Sequence, residues 1–205
     1  MTMPSWVPEI ESKPAPEPLL LVQSFVNTWD ADHASDLLLD PAAARGWLTE
    51  AGLWTADRAP EPAELHLARA VREAIRALLV ANAGGPPAAA GVLDPLRAVA
   101  RASRPVLNVE PDGRVSLGTE SAGGIQPALL TLLLVIRDAQ HDGTWPRLKA
   151  CGNPDCQWAF YDRSHSRVGA WCDMATCGNR IKNRRLRQRQ LTPSASTSPS
   201  ANPER

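Results

Sequence analysis

Long apolar runs are missing from the sequence. The longest candidate, ALLTLLLVI from Ala128 to Ile136, falls well short of the roughly 20 residues that a membrane-spanning helix needs. The first 18 residues contain five prolines and several acidic residues, and they lack the basic stretch followed by an apolar one that marks a secretory signal. These absences predict a cytoplasmic protein that does not enter a membrane.

Catalytic motifs are missing as well. The chain contains no HExxH pair, no glycine-rich phosphate loop after a strand and no GxSxG elbow. Three of its histidines are scattered, and we expect each to be a surface or locally hydrogen-bonded residue: His33, His66 and His141. We therefore expect that the protein is not an enzyme.

A group of aspartates follows the first apolar segment of the chain. Its members are Asp30, Asp32, Asp36 and Asp40. Helix capping and loop solvation explain them better than a cation site or an acid–base pair, because the sequence supplies no partner that would shift their pKa values.

Positive charge is scarce in most of the chain and concentrated near one end. Residues 1–144 carry 11 Lys and Arg against 18 Asp and Glu, whereas residues 145–190 carry 10 against 3. The net charge of zero therefore hides an acidic body and a basic C-terminal part. Arginine outnumbers lysine by 19 to 3, and this excess, together with abundant alanine, indicates a GC-rich bacterial genome.

The chain before the basic part reads as mainly helical. Apolar residues at helical spacing, Asp-Pro openings and closing glycines predict helices over 19–29, 40–52, 61–85, 93–103 and 123–143, the last being the central buried one. Two alternating runs around Pro111-Asp112-Gly113 predict a β-hairpin. The sequence therefore predicts a mainly α domain with a β-hairpin over residues 19–145. The Pro-rich and Ser-rich ends, residues 1–18 and 192–205, are typical of disorder.

Cysteine is scarce too, yet all four cysteines fall within 27 positions. Their spacing is Cys151-x4-Cys156-x15-Cys172-x4-Cys177. Two close pairs joined by such a span are typical of a four-cysteine zinc site, in which each pair holds one edge of a tetrahedron. Four thiolates fill the coordination shell, so we expect one structural zinc ion.

Other uses of these thiols fit less well. Two disulfides are disfavoured in a reducing compartment, and neither pair has the C-x-x-C spacing of a redox site. His165 is the competing ligand for a site of three cysteines and one histidine, but it lies in a polar turn away from both pairs.

The rest of residues 146–191 predicts a small treble-clef-like finger. The aromatic run Trp158 to Tyr161, a polar turn around His165 and a return to Trp171 predict a hairpin, and a helix follows the last cysteine. After the first cysteine, Gly152 and Asn153 predict a tight bend with positive φ. After the last, Gly178 lies either inside a helix capped by Asp173 or in a second bend before a cap at Asn179.

The final helix is strongly basic. Its six cations, without an acid among them, are Arg180, Lys182, Arg184, Arg185, Arg187 and Arg189. A polyanion would relieve their mutual repulsion, and arginine suits bidentate contacts with phosphate or guanine. DNA is favoured over RNA, since no aromatic RNA-binding motif stands out. The alternative is a solvated helix whose charge, with that of Lys149, Arg163 and Arg167, balances the site's roughly −2 charge.

These segments resemble two known families. LKACGNPDCQWAFYDRSHSRVGAWCDMATCGNR, followed by KNRRLRQR, resembles the CGNR zinc finger. The FVNT stretch at Phe25 to Thr28, the helix after Asp-Pro and the hairpin before the long apolar helix are similar to the ABATE domain that usually precedes that finger. The resemblance implies stress-induced transcription regulation, with zinc on the four cysteines. One departure is Val168-Gly169-Ala170, where the family tends to carry basic residues.

The leading hypothesis is a bacterial, nucleoid-associated transcription regulator. Its Arg-rich helix would bind DNA, and its N-terminal domain would regulate it or form a homo-oligomer. The alternative is an adaptor whose finger docks an acidic protein partner.

Overall fold

The computed structural model describes residues 3–119 and 123–191, so the C-terminal segment 192–205 lies outside the described residues. The helices are α1 (Leu19–Val26), α2 (Pro41–Glu50), α3 (Pro62–Asn82), α4 (Asp94–Ala102), α5 (Ile125–His141) and α6 (Asn179–Leu191). The strands form antiparallel pairs, which are β1 (Trp29–Asp30) with β2 (Ser35–Asp36), β3 (Pro105–Val109) with β4 (Val115–Thr119), and β5 (Leu148–Ala150) with β6 (Ala159–Tyr161). The fold class is confirmed as mostly helical with small strand pairs. Within the described part of the chain, no helix is long and apolar enough to span a membrane.

Helices α3 and α5 carry much of the core, as their apolar periodicity predicts. The predicted stripe of α3 is buried except for the half-buried Leu78, and α5 buries Leu129 and Leu132 completely. Burying one such leucine contributes about 1.5–3 kcal/mol. The capping signals are also used: Asp40 accepts a hydrogen bond from the backbone N–H of Ala42 at 2.8 Å at the start of α2. The helical body is therefore built largely from signals that are local in the sequence.

The predicted β-hairpin forms with Leu107 opposite Leu117 and Val109 opposite Val115. Its turn contains Gly113 at φ 82°, a conformation that glycine adopts without strain. The hairpin precedes α5 and packs against it through β4.

Two arginines of α3 are buried, although charged side chains usually face solvent. Arg72 and Arg76 interrupt the apolar stripe, yet each is only 3% exposed. Arg72 donates to both carboxylate oxygens of Asp36, at 2.6 and 2.8 Å. Burial alone would raise the pKa of Asp36, but the hydrogen bonds from Arg72 hold it below its usual value. Asp36 therefore has the charged partner that was not visible in its sequence neighbourhood.

Residues 3–18 lie against the body, whereas their composition predicts disorder. Val7 and Ala15 are buried, and the backbone carbonyl of Lys13 accepts a hydrogen bond from the N–H of Tyr161 at 2.9 Å. Two turns fold this segment, closed by hydrogen bonds at 3.0 Å from the N–H of Val7 to the carbonyl of Pro4 and from the N–H of Glu11 to the carbonyl of Pro8. Its prolines also remove backbone donors, so the segment can dock with few unsatisfied groups. It thereby joins the N-terminal end of the described chain to the C-terminal part.

The C-terminal strand pairing differs from the predicted hairpin. Strand β6 pairs with β5, with Leu148 opposite Tyr161 and Ala150 opposite Ala159. The return segment before Trp171 forms no strand, although the carbonyl of Ala170 accepts a hydrogen bond from the N–H of Gly152 at 2.8 Å. The predicted pairing is therefore wrong, and the strands instead enclose the first cysteine pair.

Candidate metal centre and basic helix

The first cysteine pair lies in the loop that joins β5 to β6. The N–H of Cys151 donates to the carbonyl of Trp158 at 2.9 Å, which extends the strand pairing up to the first sulfur ligand. The carbonyl of Asn153 then accepts from the N–H groups of Cys156 and Gln157, which closes a tight turn. The strand pair therefore fixes Cys151, and the turn at Asn153 fixes Cys156.

The expected positive φ is found at a different residue of this loop. Gln157 has φ 51°, whereas Gly152 does not adopt a positive φ. A Cβ on Gly152 would lie 3.1 Å from the carbonyl oxygen of Ala170 and 3.3 Å from the Trp171 ring. Glycine is needed there for close approach of the return segment rather than for backbone freedom.

The second cysteine pair lies at the start of a helix. The carboxylate of Asp173 accepts from the N–H of Thr176 at 2.7 Å, and a π-type turn over Met174–Gly178 runs directly into α6. Gly178 therefore lies inside a helix, which decides between the two alternatives left by the sequence. A Cβ at Gly178 would lie 2.5 Å from the sulfur of Met174, so glycine permits this packing.

The four sulfur atoms have the arrangement of a tetrahedral site. All lie within 4.8 Å of one another. The Cys156–Cys172 and Cys172–Cys177 sulfurs are 3.8 and 3.7 Å apart. A tetrahedron with Zn–S distances of about 2.3 Å has edges of about 3.8 Å, so the donor set fits one zinc ion. His165 is exposed and outside this group.

The sulfur cluster favours a cation on electrostatic grounds. Hydrogen bonds from Cys156 and Cys172 lower the pKa of Cys151, whereas the neighbouring Cys151 raises the pKa values of Cys156 and Cys172. Without a cation, ionisation of one thiol thus opposes ionisation of the others. The amide of Asn153, which is 1% exposed, donates to the sulfur of Cys177 at 3.7 Å. Zinc bound there would stabilise the thiolates as a closed structural site.

Comparison with known families covers most of the chain. A model of the CGNR zinc finger matches residues 147–190. The ABATE model, described as "Putative stress-induced transcription regulator", matches residues 20–141. The chain belongs to the ABATE family. The ABATE domain precedes the CGNR finger, as the resemblance predicted, and a comparison with curated proteins found no match.

The FVNT stretch joins the ABATE domain to the CGNR finger. Asn27 accepts from the N–H of Ala159 at 2.8 Å and donates to the carbonyl of the same residue at 2.9 Å. Gln23, one turn earlier in α1, donates to that carbonyl at 3.2 Å. Arg76 of α3 donates to the carbonyl of Gln157 in the cysteine loop at 2.9 Å. Sequence reasoning used FVNT only as a family marker and missed these contacts.

The basic helix of the finger is partly paired with acids elsewhere in the chain. Arg180 donates to Asp32 at 2.7 Å, and Arg184 pairs with Asp155. Lys182 and Arg187 are exposed and make no ion pair with the part of the chain that the structure describes. The side chains of Arg185 and Arg189 lie outside the described residues. Of the six predicted DNA contacts, two are thus paired with acids and two are exposed without an ion pair in the described chain.

Two of the other cations proposed to balance the metal site also have partners. Lys149 pairs with Asp162 at 2.8 Å, and both side chains are almost completely buried. Arg163 donates to the carbonyl of Pro14 at 2.9 Å. Lys149 thus joins β5 to the loop that contains Asp162, and Arg163 joins the finger to the N-terminal segment.

Proposed function

We propose that this ABATE protein is a transcription regulator that binds DNA through the basic helix of its CGNR finger. The observation that carries the proposal is the continuity of α6 with the turn that holds Cys177. A zinc ion on the four cysteines would fix this turn and so the direction of the helix. Exposed Lys182 and Arg187 project from a helix held in this way.

The composition of α6 supports a polyanionic partner. Its sequence, NRIKNRRLRQRQL, contains no acid, and Ile181 is buried while Leu186 is 55% exposed. Such a helix gains little from its own packing, whereas each phosphate contact releases a condensed counterion. Binding should therefore weaken steeply as salt increases.

Two carboxylates compete with DNA for the same helix. Asp32 holds Arg180, and Asp155 holds Arg184. All four side chains are substantially exposed, so water screens these pairs and phosphate can replace the carboxylates. Asp155→Asn should free Arg184 and strengthen DNA binding.

The test is a salt titration of binding to pooled genomic DNA fragments by the zinc-loaded chain. Arg187→Ala removes a cation without breaking an ion pair of the described chain, so it should flatten the slope of log K against log salt by about 1. Arg45→Ala, an exposed helical arginine of the ABATE domain, is the matched control and should leave the slope unchanged. Salt-independent binding, or equal effects of the two substitutions, would contradict the proposal.

The same assay separates the adaptor alternative. An acidic protein partner would remain bound to the chain after nuclease treatment, whereas a complex held together by DNA would not.

We further propose that the chain has no enzymatic activity, an idea supported by the closed four-cysteine shell, which leaves a zinc ion no position for substrate. A homo-oligomer formed through the ABATE domain would present two basic helices to DNA, and its mass in solution is the measurement.

A further inference from the structure

Two adjoining cavities lie between the ABATE domain and the CGNR finger. One has a volume of 290 Å³, is partly open to solvent and is lined by the N-terminal segment, α1, the β1–β2 pair, α2 and Trp158 of the finger. The other has a volume of 270 Å³ and extends from Trp158 to the cysteines. Both are lined by Ile10, Asp30 and Trp158. Together, as one cleft, they reach the range of roughly 300–1,000 Å³ that is typical of small-molecule sites.

Ser24 provides an unused polar group in this cleft. The residue is 1% exposed and lines the first cavity, and its hydroxyl has no hydrogen-bond partner among the described residues. A buried hydroxyl without a partner costs about 1–3 kcal/mol. Rotation of the Ser24 side chain towards the cavity would let a ligand with a hydrogen-bonding group remove that cost.

The walls of the first cavity suit an aromatic ring. Trp47 and Trp158 line it, and their indole N–H groups are already bonded, to the carbonyl of Trp6 at 2.8 Å and to Glu11 at 3.2 Å. The rings therefore need no further polar partner and are suited to apolar contact. Ile10 is 58% exposed at the boundary between the cavities, where a ligand would cover it.

The second cavity is acidic. Asp30, Asp32 and Asp173 line it beside the cysteines, and His33 and the buried Trp158 complete this end. His33 lies 2.7 Å from Asp30, but its side chain is 70% exposed and can turn to solvent. Negative charge at one end and aromatic walls at the other define an amphipathic, positively charged ligand.

We propose that this cleft binds a small aromatic amine that carries a polar ring substituent. The ring lies against Trp47 and Trp158, the ring substituent bonds the hydroxyl of Ser24, and the ammonium group binds Asp30 and Asp32. This is an effector site, because Asp32 is also the partner of Arg180 in the basic helix. An ammonium group on Asp32 releases Arg180, so the ligand increases DNA affinity, a consequence that rests on the proposed function. By linkage, DNA increases affinity for the amine by the same factor.

The binding test uses calorimetry on the zinc-loaded chain without DNA, with 2-(4-hydroxyphenyl)ethylamine as the probe. Two analogues are the controls: 2-phenylethylamine lacks the hydroxyl, and 3-(4-hydroxyphenyl)propanoate replaces the amine with a carboxylate. We expect the order of affinity to be hydroxylated amine, then plain amine, with no binding of the carboxylate. Equal binding of the three, or none at all, would overturn the site.

Substitutions locate the probe. Asp30→Asn should weaken both amines about tenfold by removing a charge-assisted hydrogen bond. Ser24→Ala should weaken only the hydroxylated amine, by about fivefold, and should not lower the melting temperature. Ser103→Ala is the matched control, since its hydroxyl also lacks a partner among the described residues but lines neither cavity. A loss of affinity in Ser103→Ala as large as that in Ser24→Ala would show that the effect is not local.

The coupling is tested separately. The probe should raise the affinity of the wild-type chain for DNA, whereas Asp32→Asn should raise that affinity by itself and abolish the response to the probe. If the amine binds but DNA affinity does not change, the effector role is wrong and the site remains. If the chain binds no DNA at all, the proposed function fails, while the calorimetric result still decides the ligand site.

Discussion

The buried pair Lys149–Asp162 gives a sharp test of how the finger is held together. The two charged groups lie 2.8 Å apart, and their side chains are 6% and 4% exposed. Asp162 also accepts from the N–H groups of Ser164 at 3.0 Å and Gly169 at 2.7 Å. It thereby fixes the loop that leads back to Cys172. We predict that Lys149→Met, which removes the charge while keeping much of the side-chain volume, destabilises the protein by about 3–5 kcal/mol.

Coulomb attraction sets the scale of this loss, and the pKa of Asp162 gives its dependence on pH. At an effective dielectric constant of about 20, opposite charges at this separation attract by about 6 kcal/mol, part of which desolvation offsets. Burial alone would raise the pKa of Asp162, yet hydrogen bonds from Lys149 and Ser164 hold that pKa well below its usual range. The stabilisation is therefore present above the unfolded-state pKa of about 4 and is lost as the pH falls towards the lower folded-state pKa.

The assay is urea unfolding of the zinc-loaded chain at pH 7, combined with the rate of zinc transfer to a chelator. Lys149→Met should lower the free energy of unfolding and speed the transfer, because the loop before Cys172 loosens. Adding Asp162→Asn to Lys149→Met should recover part of the loss, since it removes the unpaired buried charge. Arg137→Met is the control, because its ion pair with Asp138 is about half exposed. A loss below about 1 kcal/mol in Lys149→Met would refute the reasoning.

Three further predictions concern the metal site, Gly169 and Glu11. Removing zinc with a chelator should lower the melting temperature and unfold the finger, and Cys172→Ala should abolish stoichiometric zinc binding, as measured by thermal unfolding and metal analysis. Gly169→Ala should destabilise the chain by about 1–3 kcal/mol in urea, because its Cβ would lie 2.8 Å from a carboxylate oxygen of Asp162. Glu11 should titrate above its usual pKa of 4.5 in ¹³C NMR, because burial outweighs its hydrogen bonds. The free energy of unfolding should therefore fall as the pH rises from the unfolded-state pKa of Glu11 to its higher folded-state pKa. A normal pKa would contradict its burial.

The parts of the fold that the sequence predicted depend on neighbours along the chain. Helix α2 begins at Asp40-Pro41 because the cap and the first helical residue are adjacent. The hairpin follows from alternation around Gly113, and the spacing of the cysteines suffices to predict the zinc site. The helix start and the hairpin are decided by interactions between residues close together in the sequence. The zinc site is indicated by the spacing of a single residue type, cysteine.

The parts that were missed depend on contacts between distant segments. The aromatic run does not reveal that β6 pairs with β5 and not with the return segment before Trp171. Both candidate partners are short and contain few residues that favour strands. The burial of Arg72 depends on Asp36, which lies 36 residues away. The N-terminal segment has the composition of a disordered chain, but the side chain of Gln23 binds the N–H of Ala15 at 2.6 Å and helps to hold it in place. Composition reports what a segment can do alone and not which surface it meets.

These distant contacts change how the finger is understood. Gln23, Asn27 and Arg76 are buried polar residues of the ABATE domain, and each bonds the backbone of the segment from Gln157 to Ala159. Pulling the finger away would break these hydrogen bonds, each of which contributes about 0.5–1.5 kcal/mol. The CGNR finger is therefore not an independent module on a linker, and its first cysteine loop is built partly on α1 and α3. A change in the ABATE domain that moves Asn27 or Asp32 can consequently reach the metal site and the basic helix without any hinge between them.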